Sequence, residues 1–209
     1  MSKVGKKFPD ISVNAMNEMG DTFKINVLQE ALENKKKIIL FWYPKDFTFV
    51  CPTEIHAFQS KLSEFEKRNT MVIGASCDTP EVHFAWLSTP KDNGGIEGVT
   101  FPLIADSTRH LSETLDILDT EYVGTEENYS IEGDNVSYRA TFLIDEEGTI
   151  FHESVNVMPL GRNVDEYIRL IDGYAHNQKH GEVCPANWEE GKEAMSESRE
   201  SVANYLSNH

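Results

Sequence analysis

Cys51 stands three residues after Thr48 and seven after Pro44, at the join between an apolar run and a helical pattern. The run Ile38-Ile39-Leu40-Phe41-Trp42 reads as a buried strand that ends at about Tyr43. A short loop follows, and a helix begins near Cys51. A cysteine in or beside a first helical turn meets free N–H groups and the positive end of the helix dipole, and both favour a thiolate. The Thr48 hydroxyl can donate to that thiolate or accept from an incoming O–H. Pro44 removes a backbone donor and stiffens the loop, which helps to keep water from the sulfur. The competing reading of an isolated cysteine is a small hydrophobe packed near a helix start.

Two further cysteines are present, Cys77 and Cys184. Cys77 ends an apolar run in Ala75-Ser76-Cys77-Asp78 and reads as a buried, inert thiol. Cys184 lies in His180-Gly181-Glu182-Val183-Cys184-Pro185, in a polar stretch. An exposed thiol on a mobile segment suits attack on an oxidised sulfur. The odd count and the lack of a C-x-x-C pair argue against a zinc ribbon and against a dithiol electron carrier. His176, His180 and Cys184 lie four apart and are a rival zinc set, but Gly181 and Pro185 weaken a helix there and a fourth ligand is missing. The expectation is no metal and no cofactor.

The elements that must position these residues are legible as periods. Ile55, Phe58, Leu62 and Phe65 recur at helical spacing, and Met71-Val72-Ile73-Gly74-Ala75 reads as the next strand. Val82, Ala85 and Trp86 suggest a helix, as do Leu111, Leu115 and Leu118. Thr141–Ile144 and Thr149–Phe151 flank Asp145-Glu146-Glu147-Gly148 and read as a hairpin. Val164, Tyr167, Ile168 and Ile171 mark a last amphipathic helix. The acidic stretch Asp119–Asn135 has no clear period and reads as an exposed loop or excursion. From His176 onward the chain reads as an arm lying over a surface. The class is therefore α/β with a mixed central sheet and a C-terminal arm, divided as 1–162 and 163–209. The net charge of −16 repels phosphate backbones and anionic lipid, so nucleic-acid and membrane roles are discounted. No apolar run approaches a membrane span, the N-terminus has no secretory apolar core, and a cytoplasmic location is expected.

Pro44, Thr48 and Cys51 form a P-x-x-x-T-x-x-C pattern inside the string F-x-x-P-x-D-F-T-F-V-C-P-T-E. That string resembles the peroxiredoxins, in particular the typical two-cysteine, alkyl hydroperoxide reductase C type. The resemblance runs from Gly5–Pro9 through His83-Phe84-Ala85-Trp86 and Leu160-Gly161-Arg162 to Gly181–Pro185. It implies a thioredoxin-like fold and a thiol-dependent peroxidase acting on hydrogen peroxide and organic hydroperoxides. Cys51 would be the peroxidatic cysteine, passing through a sulfenic acid. Cys184 would resolve it by an intersubunit disulfide. Arg139 would sit beside the thiolate, Arg162 matches a second family arginine, and Glu54 would orient both guanidinium groups. The implied partners are thioredoxin or a flavoprotein disulfide reductase as reductant, and further copies of the chain as a homodimer in a ring of five dimers. A chaperone-like holdase or a redox sensor is the alternative class. Gly94-Gly95-Ile96-Glu97-Gly98 and Tyr205-Leu206 are similar to elements of overoxidation-prone members, though Glu97 interrupts the first and Leu206 replaces a Phe. They read equally as a glycine-rich surface loop and a frayed tail.

Overall fold

The computed structural model describes residues 2–125 and 128–208, in two compact units, Met1–Arg162 and Asn163–His209. In the first unit β1 (Ser12–Met16) and β2 (Thr22–Asn26) lead through α1 (Val27–Asn34) to β3 (Lys37–Trp42). Then come α2 (Cys51–Ser60), α3 (Leu62–Lys67), β4 (Thr70–Ser76), α4 (Pro80–Leu87), β5 (Leu103–Ala105) and α5 (His110–Thr114). The unit closes with β6 (Glu121–Thr125), β7 (Asn128–Glu132), β8 (Arg139–Ile144) and β9 (Ile150–Asn156). Seven strands form one sheet in the order β2-β1-β5-β4-β3-β8-β9. It is mixed: β4 runs parallel to β3 and β5, and the other pairs are antiparallel.

β3 is buried along its whole length because β4 and β8 pair on its two sides and side chains cover both faces. An unbroken apolar run is what that position requires. Ile38, Leu40 and Trp42 join Ile73, Ile104, Phe142 and Ile144 in the core on one face. On the other, Phe41 stacks on Phe58 of α2 with ring centroids 3.9 Å apart. That stack seats α2 on the end of β3.

Several expectations need correction. The helix predicted through Ile55, Phe58, Leu62 and Phe65 is two helices, because Lys61 leaves helical geometry (φ −106°) between them. The helix through Leu118 stops at Thr114, where Asp116 turns the chain with φ +62°, and Leu118 instead bridges Ser137. The predicted loop Asp119–Asn135 contains a β-hairpin, β6–β7, that forms its own two-stranded sheet. Its strands are exposed on both faces, so no buried side imposes the alternation by which a strand is recognised.

The second unit is not a plain polar arm. α6 (Val164–His180) is capped by the Asn163 side chain, which accepts from Asp165 N–H at 3.1 Å, and is closed by Gly181 at φ +67°. Val183 then bridges Met195, and α7 (Arg199–Asn208) ends the unit, so the terminal segment is helical and not frayed. The glycine-rich stretch is likewise packed: Ile96 is fully buried, Trp86 Nε1 donates to Gly94 O at 2.9 Å, and His56 bonds Gly95 O at 3.0 Å.

Candidate active site

β3 ends at Trp42, and Tyr43 N–H still bonds Ala75 O at 2.9 Å. The chain then leaves the sheet as the loop Pro44–Val50 and re-enters regular structure at Cys51, the first residue of α2, with Pro52 in the first turn where its missing donor costs nothing. Cys51 is buried. Its Sγ lies 2.9 Å from Thr48 Oγ1 and 3.3 Å from Arg139 Nη1. Thr48 Oγ1 is also 2.8 Å from Lys45 O. The single hydroxyl hydrogen can go to the carbonyl when Cys51 is a thiol and to the sulfur when it is a thiolate. Pro44 is buried at the root of the loop.

Glu54, one turn into α2, joins the two arginines. Its Oε2 accepts from Arg139 Nη1 at 2.7 Å and from Arg162 Nη2 at 2.9 Å, and its Oε1 accepts from Arg162 Nε at 2.9 Å. Arg139 also donates through Nε to Met158 O at 2.6 Å, which fixes the plane of the guanidinium. Arg162 Nη1 donates to Trp42 O at 2.8 Å and Ala140 O at 3.0 Å, and its guanidinium lies over the Phe41 ring at 5.1 Å. Arg139 is thus aimed at the sulfur, and Arg162 ties the ends of β3 and β8 to α2.

The profile of the AhpC/TSA family matches residues 4–153, and that of the C-terminal domain of 1-Cys peroxiredoxin matches residues 174–208. The chain belongs to the AhpC/TSA family. It is similar to alkyl hydroperoxide reductase C of Helicobacter pylori, 41% identical over 99% of this chain and 96% of that one. Peroxiredoxin-2 of Macaca fascicularis is 37% identical over 100% of this chain and 97% of its own length. Among solved structures, the reduced 2-Cys peroxiredoxin of Plasmodium vivax superposes with a TM-score of 0.88 at 39% identity, covering 99% of this chain and 100% of that chain. The fold is thioredoxin-like, and this AhpC/TSA chain is a thiol-dependent peroxidase, an oxidoreductase.

The other two cysteines of this AhpC/TSA chain have different surroundings. Cys77 is buried with its Sγ 3.7 Å from Ser112 Oγ, and burial pushes its thiol pKa up. Cys184 was expected to be exposed. It is half-buried in the second unit, 3.6 Å from Gly173 O, and burial raises its pKa as well. All three thiols are free. The rival zinc set does not share a helical face, because α6 ends at His180 and His176 Nε2 pairs with Glu182 at 2.8 Å.

One feature escapes sequence reasoning. Asp46, in the active-site loop, pairs through Oδ2 with His83 Nδ1 of α4 at 2.7 Å, and both side chains are buried. His83 Nε2 faces Ile104 O at 3.1 Å. Both ring nitrogens therefore face acceptors, the pattern of an imidazolium. The Asp46 N–H donates to Asp78 Oδ2 at 2.8 Å, which also takes the Ser76 hydroxyl at 2.8 Å. The loop that carries Thr48 is thus anchored to β4, α4 and β5. Burial and the neighbouring Asp46 hold the Tyr43 hydroxyl pKa well above its ordinary value.

Burial disfavours the His83 cation, but the hydrogen bond and charge of Asp46 outweigh it and raise the His83 pKa above 6.5. A histidine whose pKa is raised by folding contributes stability that is complete below its unfolded pKa and is lost as pH rises through the folded one. His83→Gln should therefore melt earlier than wild type, with the larger gap at pH 6 and a smaller one at pH 9. Thermal unfolding of both proteins across that range measures it. A gap that is constant or widens with pH would contradict the ion pair.

Proposed function

We propose that Cys51 is the peroxidatic cysteine, that hydrogen peroxide and organic hydroperoxides are its substrates, and that Cys184 of a partner copy resolves it. The observation that carries this reading is the Cys51 sulfur held between Thr48 Oγ1 at 2.9 Å and Arg139 Nη1 at 3.3 Å at the start of α2. With Arg139 and Arg162 against the Glu54 carboxylate, the cluster holds one positive charge in excess. A Cys51 thiolate balances it.

The thiolate attacks one oxygen of the peroxide, and the O–O bond breaks. The leaving oxygen departs with the bonding pair, takes a proton and becomes water or an alcohol, while Cys51 becomes a sulfenic acid. Arg139 and Thr48 supply donors to the oxygens as charge moves from sulfur to leaving group. Pro44 shapes the loop, and Glu54 and Arg162 hold the Arg139 guanidinium in place. The Cys184 sulfur then attacks Cys51 sulfur, hydroxide leaves as water, and a disulfide forms. A dithiol partner, thioredoxin or a flavoprotein disulfide reductase, reduces that disulfide by exchange.

A buried Cys51 must be uncovered before resolution, so the first turn of α2 unwinds. The turn is suited to opening, because Val50 at its N-cap offers no side-chain cap. Dimer formation has a ready surface: β9 is a sheet edge with Val155 exposed beside the exposed Val157. Exposed Phe47, packed on Trp86, and exposed Phe84 supply a second apolar surface for joining dimers into a ring of five. Among the described residues no helix is long and apolar enough to cross a membrane.

A non-reducing gel after one equivalent of peroxide tests the resolving step. Wild type should shift to the mass of two chains, and Cys184→Ser should stay at one. A shift that persists in Cys184→Ser, or none in wild type, would sink the assignment of Cys184.

A further inference from the structure

The β6–β7 hairpin takes no part in the chemistry above. Its register sets Tyr122 opposite Ile131 and Gly124 opposite Tyr129. Side chains alternate along a strand, so Tyr122, Tyr129 and Ile131 share one face. The two tyrosine rings meet edge to face at 5.6 Å. Tyr122 is 56% exposed, Tyr129 57% and Ile131 48%. The opposite face carries Glu121, Val123, Ser130 and Glu132. A two-stranded ribbon is marginal by itself in water, and an aromatic face left open on one marks a surface that something else covers.

Charge decides what kind of occupant fits. Residues 110–138 hold eight Asp and Glu and no Lys or Arg, and Arg109, which donates to Asn135 O at 2.8 Å at the hairpin's root, offsets only one of these charges. A second copy would bring the same charge to the contact and be repelled, as would a nucleic acid or an anionic lipid surface. A basic partner is attracted, and its Lys or Arg groups can lie over the tyrosine rings as well as pair with Glu113, which accepts from the Tyr122 hydroxyl at 3.2 Å.

The hairpin also has a fixed root. Leu118 bridges Ser137, Tyr138 N–H bonds Ile117 O at 2.8 Å, and Ser137 Oγ donates to Tyr43 O at 3.1 Å. The next residue after Tyr138 is Arg139. The ribbon is therefore anchored beside the active-site loop and not trailing from the fold.

We propose that the β6–β7 face of Tyr122, Tyr129 and Ile131 is a docking surface for a second protein that presents lysine or arginine around an apolar centre. The probe is a fluorescein-labelled peptide of alternating Lys and Leu, with a Lys–Ser peptide of equal charge as control, followed by fluorescence anisotropy at physiological salt. Wild type should bind the Lys–Leu peptide more tightly than the Lys–Ser peptide. Losing the apolar anchors together (Tyr122→Ser, Tyr129→Ser, Ile131→Ser) should weaken that binding by about tenfold or more. Val123→Ser on the other face should leave it unchanged. Peroxide turnover of each variant, unchanged from wild type, reports that the fold is intact. Independently, hydrogen exchange of wild type with the peptide should slow in residues 121–125 and 128–132. Equal binding of both peptides, no loss in the triple variant, or protection confined to another part of the chain would overturn the proposal.

Discussion

Replacing Cys51 by serine should abolish peroxide turnover while the circular dichroism spectrum and melting temperature stay close to wild type. The hydroxyl occupies nearly the space of the thiol and can still meet Thr48 Oγ1 and Arg139 Nη1, so packing changes little. What the variant lacks is the proposed nucleophile: an alcohol without an adjacent general base is unreactive at neutral pH. Neither remaining cysteine can substitute. Burial raises the pKa of both Cys77 and Cys184, which lowers the fraction present as thiolate. Steady-state peroxide consumption with a recycling dithiol measures the effect. Turnover near the wild-type rate in Cys51→Ser would remove Cys51 from the mechanism.

The second large effect separates two arginines that share one carboxylate. Arg139→Ala should slow the reaction with peroxide by about a hundred- to a thousand-fold, the usual consequence of losing one preorganised donor to developing charge. Arg162→Ala should cost less in rate and more in stability. It removes donors from Trp42 O, Ala140 O and Glu54, all in buried surroundings. Leaving such groups without partners costs about 1–3 kcal/mol each. Arg139→Lys should recover only part of the rate, because one ammonium cannot reach Glu54, Met158 O and the sulfur with the geometry of the guanidinium fork. Single-turnover rates and thermal melts of the three variants decide the matter. Equal rate losses at the two positions would end the distinction between them, and a larger loss at Arg162 would reverse it.

How far the sequence reveals this arrangement depends on how local each part is. β3 is legible because it is covered on both faces, and the start of α2 is legible because the period changes at a Cys-Pro pair. Thr48 and Cys51 lie three residues apart across that boundary, so their meeting can be read from spacing. Arg139 is different. It reaches Cys51 across 88 residues because β8 pairs antiparallel to β3 with Phe41 opposite Thr141, which carries the start of β8 to the point where the loop leaves the sheet. No local pattern encodes that register, and only resemblance to a family singled out Arg139. Asp46 and His83 were likewise in plain view as residue types, and only the packing of α4 against the loop makes them a buried pair. The hairpin β6–β7 was missed for the opposite reason. Its described strand residues are all exposed, so it leaves no trace in the hydrophobic period.

The central claim is that peroxide oxidises Cys51 and no other residue first. It is tested most directly in Cys184→Ser, where the sulfenic acid has no resolving thiol and persists long enough to be trapped. One equivalent of peroxide in the presence of dimedone, followed by peptide mass spectrometry, should place a single adduct on the peptide that contains Cys51 and leave Cys77 unmodified. An adduct on Cys77, or oxidation without any adduct at Cys51, would contradict the account.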